Sequence, residues 1–354
     1  MRLKDWSLHV YRLPYLKPVV WSNAEEDSGL FALLRLVSDD GVAGIAEGTI
    51  KNTWSGVSPR SLRAALEDVV LPLVNKINLE SPEAISSALS RIPENRLAKG
   101  LVDNACWTMR AAATRTPLWK LLHGKEDAEV CWTVTRDKPA AMAQEAADYC
   151  GRYGFRTLKV KGGQGVKTDL EALAAIRSAV GPDVALTVDA NSAYTRAEAP
   201  DYVKRIAQAG AIVAEDPSPL APDAQFEALQ KGSGIPILVD ASCTSARDAA
   251  LYLARGAQAV SLKPGRVGIS ESKNVKETMG PKSQTALGIY AESALGTLVN
   301  LQLPASMPAE QSFFLVMREQ VAPAPQIRGG RIALPQDPDL DKLVDWKAVE
   351  RFKA

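Results

Sequence analysis

The sequence predicts an α/β protein built on a closed (β/α) barrel, and three observations carry that expectation. Beyond residue 130, short β-rich runs alternate with amphipathic helical stretches; the runs read "RTLKVKGG", "VALTVDAN", "AIVAEDP", "PILVDAS" and "AVSLKPG". They recur at a near-constant interval: from Lys161 to Asp189, Glu215, Asp240 and Lys263 the steps are 28, 26, 25 and 23 residues, the period of a repeated strand–helix unit. Each run ends in a charged residue at the strand's C-terminal edge, with a small residue or proline close behind. A doubly wound sheet has a similar texture, but no G-x-G-x-x-G follows a strand here.

The elements follow in order. Residues 1 to about 50 read as three antiparallel strands, "WSLHVYRL", "LFALLRLVS" and "VAGIAEG", the last two joined by a tight "DDG" turn at 39–41. Between the first two, "PYLKPVVWSNAEEDSG" is polar-ended and proline-bearing, which predicts a loop. Three helical patterns come next: "SPRSLRAALEDVVLPLV", "SPEAISSALSRI" and "LAKGLVDNACWTMRAAATR". The first two open on Ser-Pro, with proline in the first turn. Within the repeat, "DLEALAAIRSAVG" sets Leu170, Leu173, Ile176 and Val180 on one face and stops at Gly181. "SARDAALYLARG" has the same form and stops at Gly256.

Composition narrows the function. Of 354 residues 46% are hydrophobic and 23% charged, with a net charge of +1, so nothing calls for nucleic acid or an anionic membrane as partner. The opening "MRLKDWSLHV" lacks an apolar signal core and no apolar run approaches spanning length, which predicts a cytoplasmic protein. Cys106, Cys131, Cys150 and Cys243 lie far apart and read as reduced, packed thiols. The two histidines, His9 and His123, read as structural.

In a barrel the C-terminal strand ends open on one mouth. Lys159, Lys161, Asp189, Glu215, Asp240 and Lys263 are therefore expected around one cavity, with Lys159 and Lys161 on the same strand face. Three carboxylates converging in a partly desolvated cup repel each other. A hard divalent cation, Mg²⁺ or Mn²⁺, resolves that conflict, whereas zinc lacks histidine or cysteine at ligand spacing. Lys161 and Lys263 are expected to face the cavity from opposite sides. Near a cation and the Lys159 ammonium, a lysine's charged form is disfavoured, which suits it to act as a base. The matching chemistry is removal of a proton next to a carboxylate, which builds charge that a bound cation stabilises. A Schiff-base aldolase barrel also uses an interior lysine but needs no strand-end acids. A non-catalytic metal-binding barrel needs neither lysine.

At these residues the sequence resembles the enolase superfamily, in its muconate lactonizing enzyme (muconate cycloisomerase) subgroup, over nearly the whole chain. The resemblance implies a modified TIM barrel with an α+β capping domain formed by the N-terminal region and the C-terminal segment. The implied divisions are 1–125 for the cap, 126–310 for the barrel and 311–354 for the returning segment. It also implies Asp189 ("DAN"), Glu215 ("EDP") and Asp240 ("DAS") as Mg²⁺ ligands with Asn191 beside them, Lys161 and Lys263 as the acid/base pair, and Lys159 as a charge stabiliser. "AESALGT" (291–297) resembles the end of the eighth strand, making Glu292 a site-lining residue, and Glu310 in "PAEQSFF" resembles an acid just beyond it. The capping loops "YLKPVVWSN" (15–23) and "TIKNTWSGV" (49–57) would bring Trp21 and Trp54 to the substrate.

Four departures narrow the branch. Ala241 stands where members often carry Glu, and no late-barrel histidine supports the mandelate racemase subgroup. "KPGRVGIS" looks more like the succinylbenzoate synthase and N-acylamino-acid racemase branch, with Ile269 where glycine is common. The paired aspartates of dipeptide epimerases do not follow Glu292. The expected function is a Mg²⁺-dependent isomerase or lyase acting on a small-molecule carboxylate. Muconate-type cycloisomerisation comes first, then racemisation or epimerisation of an N-substituted amino acid, then succinylbenzoate synthase-like elimination or dehydration. A homo-oligomer is implied by the resemblance alone.

Overall fold

The computed structural model describes residues 1–20 and 25–354. Its first layer is an antiparallel sheet of β1 (Leu3–Val20), β2 (Glu25–Ser38) and β3 (Ala43–Thr49), in that order. Because successive strand residues point to opposite faces, the apolar run of β2 is buried twice over. Phe31 and Leu33 join Tyr11, Leu13 and Ile45 in the core shared with the barrel, while Ala32, Leu34 and Leu36 pack with Leu8 and Ala46 against helices. The loop expected over residues 14–29 is largely strand. Pro14 pairs with Ser28 and Val19 with Glu26 across a register shift. The prolines misled the reading because β1 is an edge strand, where a missing N–H is tolerated. Trp21 lies outside the described residues.

The helices that follow are α1 (Asn52–Ser55), α2 (Pro59–Ala64), a π-helical turn at Ala65–Val70, α3 (Leu71–Val74), α4 (Pro82–Leu89), α5 (Arg96–Thr114) and α6 (Leu118–Leu121); α2 to α5 pack on the sheet face that carries Ala32, Leu34 and Leu36. Ser58 and Ser81 cap α2 and α4 through their hydroxyls, as the Ser-Pro openings predict.

Strand β4 (Asp127–Glu129) belongs to a small sheet, and β5 (Trp132–Val134) opens the barrel. The repeat runs α7 (Pro139–Tyr153), β6 (Thr157–Lys161), α8 (Val166–Val180), β7 (Ala185–Asp189), α9 (Ala199–Gln208), β8 (Ala211–Glu215), α10 (Ala224–Gly232), β9 (Ile237–Val239), α11 (Ala246–Leu253) and β10 (Ala259–Leu262). It ends with α12 (Pro264–Val267), α13 (Ile269–Met279), β11 (Gln284–Leu287) and α14 (Ala294–Asn300). Strands β5 to β11 form one parallel sheet of seven, neighbours in sequence order.

The eighth stave is not a regular strand. Residues 306–310 fill the gap: Met307 N–H donates to Thr285 and Glu310 N–H to Leu287 on the β11 side. On the β5 side Ala309 N–H donates to Glu129, and Ala309 accepts from Cys131 N–H. Pro304 precedes this stave and Pro308 lies within it, removing a donor from any regular ladder. The expectation for "AESALGT" is thereby corrected. It follows β11, the seventh parallel strand, and runs into α14.

The chain then returns to the first sheet through β12 (Ile327–Arg328), β13 (Arg331–Ala333) and α15 (Trp346–Arg351). Arg12 N–H donates to Phe352, Ala354 N–H to Val10, and Arg35 forms a bidentate pair with Asp341. The C-terminal segment thus completes the capping layer.

Candidate active site

The repeat delivers its charged residues to one end of the barrel because the strands are paired in register. Lys161 sits opposite Asp189, and Asp189 opposite Glu215. Lys263 follows the end of β10, four strands from β6 in the sheet order and so half-way round the ring.

Lys159 occupies the centre. Its Nζ lies 2.7 Å from Glu215 Oε1, 2.8 Å from Glu310 Oε2 and 3.1 Å from Asp189 Oδ2, and only 3% of its side chain is exposed. Burial opposes its charge, but the surrounding acids hold it well above the usual lysine range. Lys159 is therefore clamped among carboxylates instead of serving only as a neighbour to Lys161. Glu310 reaches this cluster from the irregular stave, 151 positions along the chain from Lys159.

Lys161 donates to Asp189 Oδ2 at 2.6 Å and to Asn191 Oδ1 at 3.3 Å. Asn191, at φ 48°, turns its own N–H and Nδ2 back onto Asp189. Burial works against the Asp189 charge, yet Lys159 and Lys161 together hold its carboxyl well below the usual range. Glu215 moves the other way: burial, then the neighbouring Asp189 charge, push it well up. Across the mouth Lys263 Nζ lies 2.8 Å from Asp240 Oδ2 and donates to Ile289 O at 3.2 Å. Burial pulls Lys263 down, but Asp240 outweighs it and the lysine lies above its usual range.

Glu292 is buried but makes no hydrogen bond to these lysines. It accepts from Tyr290 N–H at 2.8 Å and from Asn300 Nδ2 at 3.1 Å, and burial pushes its carboxyl up to about 7. Trp54 packs edge-on against Tyr290 at 5.4 Å, so the second capping loop reaches the rim of the mouth. A cleft of about 520 Å³ lies further out in the cap, lined by Arg12, Glu26, Lys51, Asn52 and Val57. A much smaller hollow touches Asp240, Ser261 and Lys263. The convergence of titrating groups, not cavity size, identifies the chemical centre.

Several residues that hold the centre escape the sequence reading. Asp216 accepts the N–H groups of Asp240 and Ala241 at 3.1 and 2.9 Å. Asp169 accepts from Gly163 and Gln164 N–H and from the Tyr194 and Tyr202 hydroxyls, pinning the loop after Lys161. Arg136 ties three strand ends together by donating to Gly162 O, Ala190 O and Asn191 Oδ1.

Two features bear on a divalent metal. Among the described residues, no three carboxylate, imidazole or thiol groups are drawn close enough to cage an ion as the side chains stand. The donor chemistry nonetheless fits: Asp189, Glu215 and Asp240 offer hard oxygens on adjoining strand ends, and Asp240 Oδ1 is buried without a hydrogen-bond partner. Among the described residues no helix is long and apolar enough to cross a membrane.

Known proteins share this architecture. Residues 8–123 match the family model described as mandelate racemase / muconate lactonizing enzyme, N-terminal domain, and residues 141–340 match the one described as enolase C-terminal domain-like. The o-succinylbenzoate synthase of Geobacillus stearothermophilus is 29% identical over 90% of this chain and 88% of that enzyme. The N-succinylamino acid racemase of Thermus thermophilus is 27% identical over 99% of this chain and 97% of that enzyme. A crystal structure of muconate lactonizing enzyme from Mucobacterium Smegmatis, complexed with muconolactone, superposes with a TM-score of 0.93 at 24% identity, covering all of both chains. That likeness shows the fold alone.

Proposed function

Because the chain belongs to the mandelate racemase / muconate lactonizing enzyme family of the enolase superfamily, we propose that it is an isomerase or lyase that moves the proton next to a substrate carboxylate. The observation that carries this reading is the placement of Lys161 and Lys263 half-way round one ring, each held by a strand-end acid. A tetrahedral α-carbon between them can lose its proton to one lysine and, once planar, gain one from the other on the opposite face.

Asp189, Glu215 and Asp240 would hold a divalent cation, Mg²⁺ with Mn²⁺ as substitute. When bound, it supplies positive charge to the substrate carboxylate as the α-proton leaves. The chain's own residues do the rest. Lys161 takes or returns the proton on its side, and Asn191 orients it through its 3.3 Å contact. Lys263 does the same on the opposite side. Lys159 fixes the acids and adds positive charge. Trp54 and the capping loops would close over the substrate and exclude water, with Trp54 already seated on Tyr290.

Opposed lysines favour racemisation or epimerisation of an N-substituted amino acid such as an N-acylamino acid. Cycloisomerisation of a muconate-type diacid needs proton delivery from one side only, and is the second reading because "CWTVTRD" forms β5 and "AESALGT" lines the β11 end. Proton NMR in D₂O with Mg²⁺ tests both, using cis,cis-muconate, N-acylamino acids and dipeptides. Deuterium uptake that chelator abolishes is expected; a lactone product would select cycloisomerisation and a scrambled stereocentre racemisation. No uptake or product from any compound would count against the proton-transfer reading.

A further inference from the structure

The chain that leaves Lys263 is hydrogen-bonded by side chains of the capping layer. Immediately after the lysine come α12 and the first turn of α13, residues 264–270. Their polar backbone groups are met by two consecutive side chains of α5. Asn104 Nδ2 donates to Pro264 O at 2.9 Å, and its Oδ1 accepts from Ile269 N–H at 2.8 Å. Asp103 accepts from Ser270 N–H at 2.8 Å with one carboxylate oxygen and from Ser270 Oγ at 2.6 Å with the other. Trp107 Nε1 donates to the same Ser270 Oγ at 2.8 Å.

These are the first N–H groups of α13, which have no partner within their own helix. A helix N-terminus is normally capped by a residue just before it; here the cap comes from a helix more than 160 positions away. Asp103, Asn104, Trp107 and Ser270 are all 5% exposed or less.

The fit is also steric. A Cβ on Gly100 would stand 2.9 Å from Gly268 N and 3.0 Å from Arg266 O. Gly268 itself sits at φ +96°, and a Cβ there would lie 2.7 Å from Asp103 Oδ2. So α5 presses backbone to backbone on the segment that begins one residue after Lys263. Among the described residues the hydrogen bonds of Lys161 go to Asp189 and Asn191 of the barrel, and its following loop is pinned by Asp169 of α8, also in the barrel layer.

We propose that Asp103 and Asn104 are positioning residues for Lys263, so that the capping layer sets the placement of one of the two opposed lysines and not the other. The claim rests on the two-lysine reading above for its catalytic consequence, but its structural content does not. A misplacement of about 1 Å in a reacting group costs on the order of 100-fold in rate. Loosening this clamp should therefore slow proton transfer on the Lys263 side selectively.

Two measurements on the intact 354-residue chain with Mg²⁺ test this. The first needs no substrate: a pulse of acetic anhydride, with acylation of Lys263 and Lys161 followed by mass spectrometry in the same molecules. Asn104→Ala and Asp103→Asn should change the Lys263 rate by about tenfold while Lys161 stays within twofold. Ser270→Ala probes the same contact from the barrel side and covers the case in which an α5 variant fails to fold. Equal changes at both lysines, or no change at Lys263, would overturn the proposal.

The second compares α-deuterium exchange of the two enantiomers of N-succinylphenylalanine. Exchange of one enantiomer should fall at least tenfold more than that of the other in the same variants; equal losses would again overturn it. If the wild-type protein exchanges neither enantiomer, the racemase reading fails for this compound. The acylation ratio then decides the positioning claim on its own.

Discussion

Replacing Lys159 by Met keeps the length of the side chain and removes the charge that three acids share. The ammonium it takes away stands 2.7, 2.8 and 3.1 Å from Glu215, Glu310 and Asp189, and each of these four side chains is 6% exposed or less. Removing one partner of a buried ion pair costs about 3–5 kcal/mol, because the other charge stays buried and uncompensated. Here the acids respond by taking up protons, and Glu215, already pushed up by burial, is the first to do so.

The sign follows. In the variant the folded-state pKa values of these acids rise above their unfolded values. The loss is therefore greatest in alkaline solution and shrinks as pH falls towards the ordinary carboxylate range. Urea unfolding at pH 8 in the presence of chelator should show a deficit of about 3–5 kcal/mol, smaller at pH 5.5. Saturating Mg²⁺ should return stability to both proteins, by about 2.7 kcal/mol at a concentration 100 times the dissociation constant. A deficit below about 1 kcal/mol in chelator would refute the central role of Lys159. Absence of any Mg²⁺-dependent gain would refute Asp189, Glu215 and Asp240 as metal ligands.

Lys161→Ala and Lys263→Ala should each lower turnover by roughly 10²- to 10⁴-fold while Mg²⁺ binding by calorimetry persists; near-normal turnover in either would sink the two-lysine mechanism. Asp169→Ala leaves two backbone N–H groups and two tyrosine hydroxyls without their acceptor, and urea unfolding should report a loss of about 2–4 kcal/mol, an unchanged midpoint being the contrary result. Glu292 has its carboxyl raised to about 7 by burial, so folding favours its protonated form, and the stability it gives is lost as pH climbs from its ordinary value to about 7. Relative to wild type, Glu292→Gln should gain stability between pH 5 and 7, and a difference that does not vary with pH would contradict the assigned burial.

The barrel was legible because its signal is periodic and chemical at once: a charged strand end every 23 to 28 residues cannot easily arise from unrelated loops. Lys159, Lys161, Asp189, Glu215, Asp240 and Lys263 were found by that rhythm. What the rhythm hides is anything that departs from it. The stave bearing Glu310 has no alternating pattern, with one proline inside it and another just before, so its pairing with Lys159 could not be read locally. Asp216 lies within a run already singled out, "AIVAEDP", and Arg136 lies two residues beyond β5, but their partners are backbone groups of other strand ends. A one-letter code shows which side chains carry charge and says nothing of which amides they satisfy. Asp103 and Asn104 were read as part of a helix pattern, and their contact with residues 264–270 exists only once two layers are stacked.

That contact divides labour within the cap. Residues 49–57 reach the rim of the mouth through Trp54, while α5 braces the barrel backbone at Gly268. The hydrogen bonds that seat residues 264–270 come from Asp103, Asn104 and Trp107 of α5, so the brace rests on the helix and not on the loops. The brace has little latitude, since even a methyl group at residue 100 meets main chain. A lineage built this way can change its diet by rewriting loops while inheriting its machinery intact, and a designer grafting specificity between relatives would do well to exchange the loops and leave the helix in place.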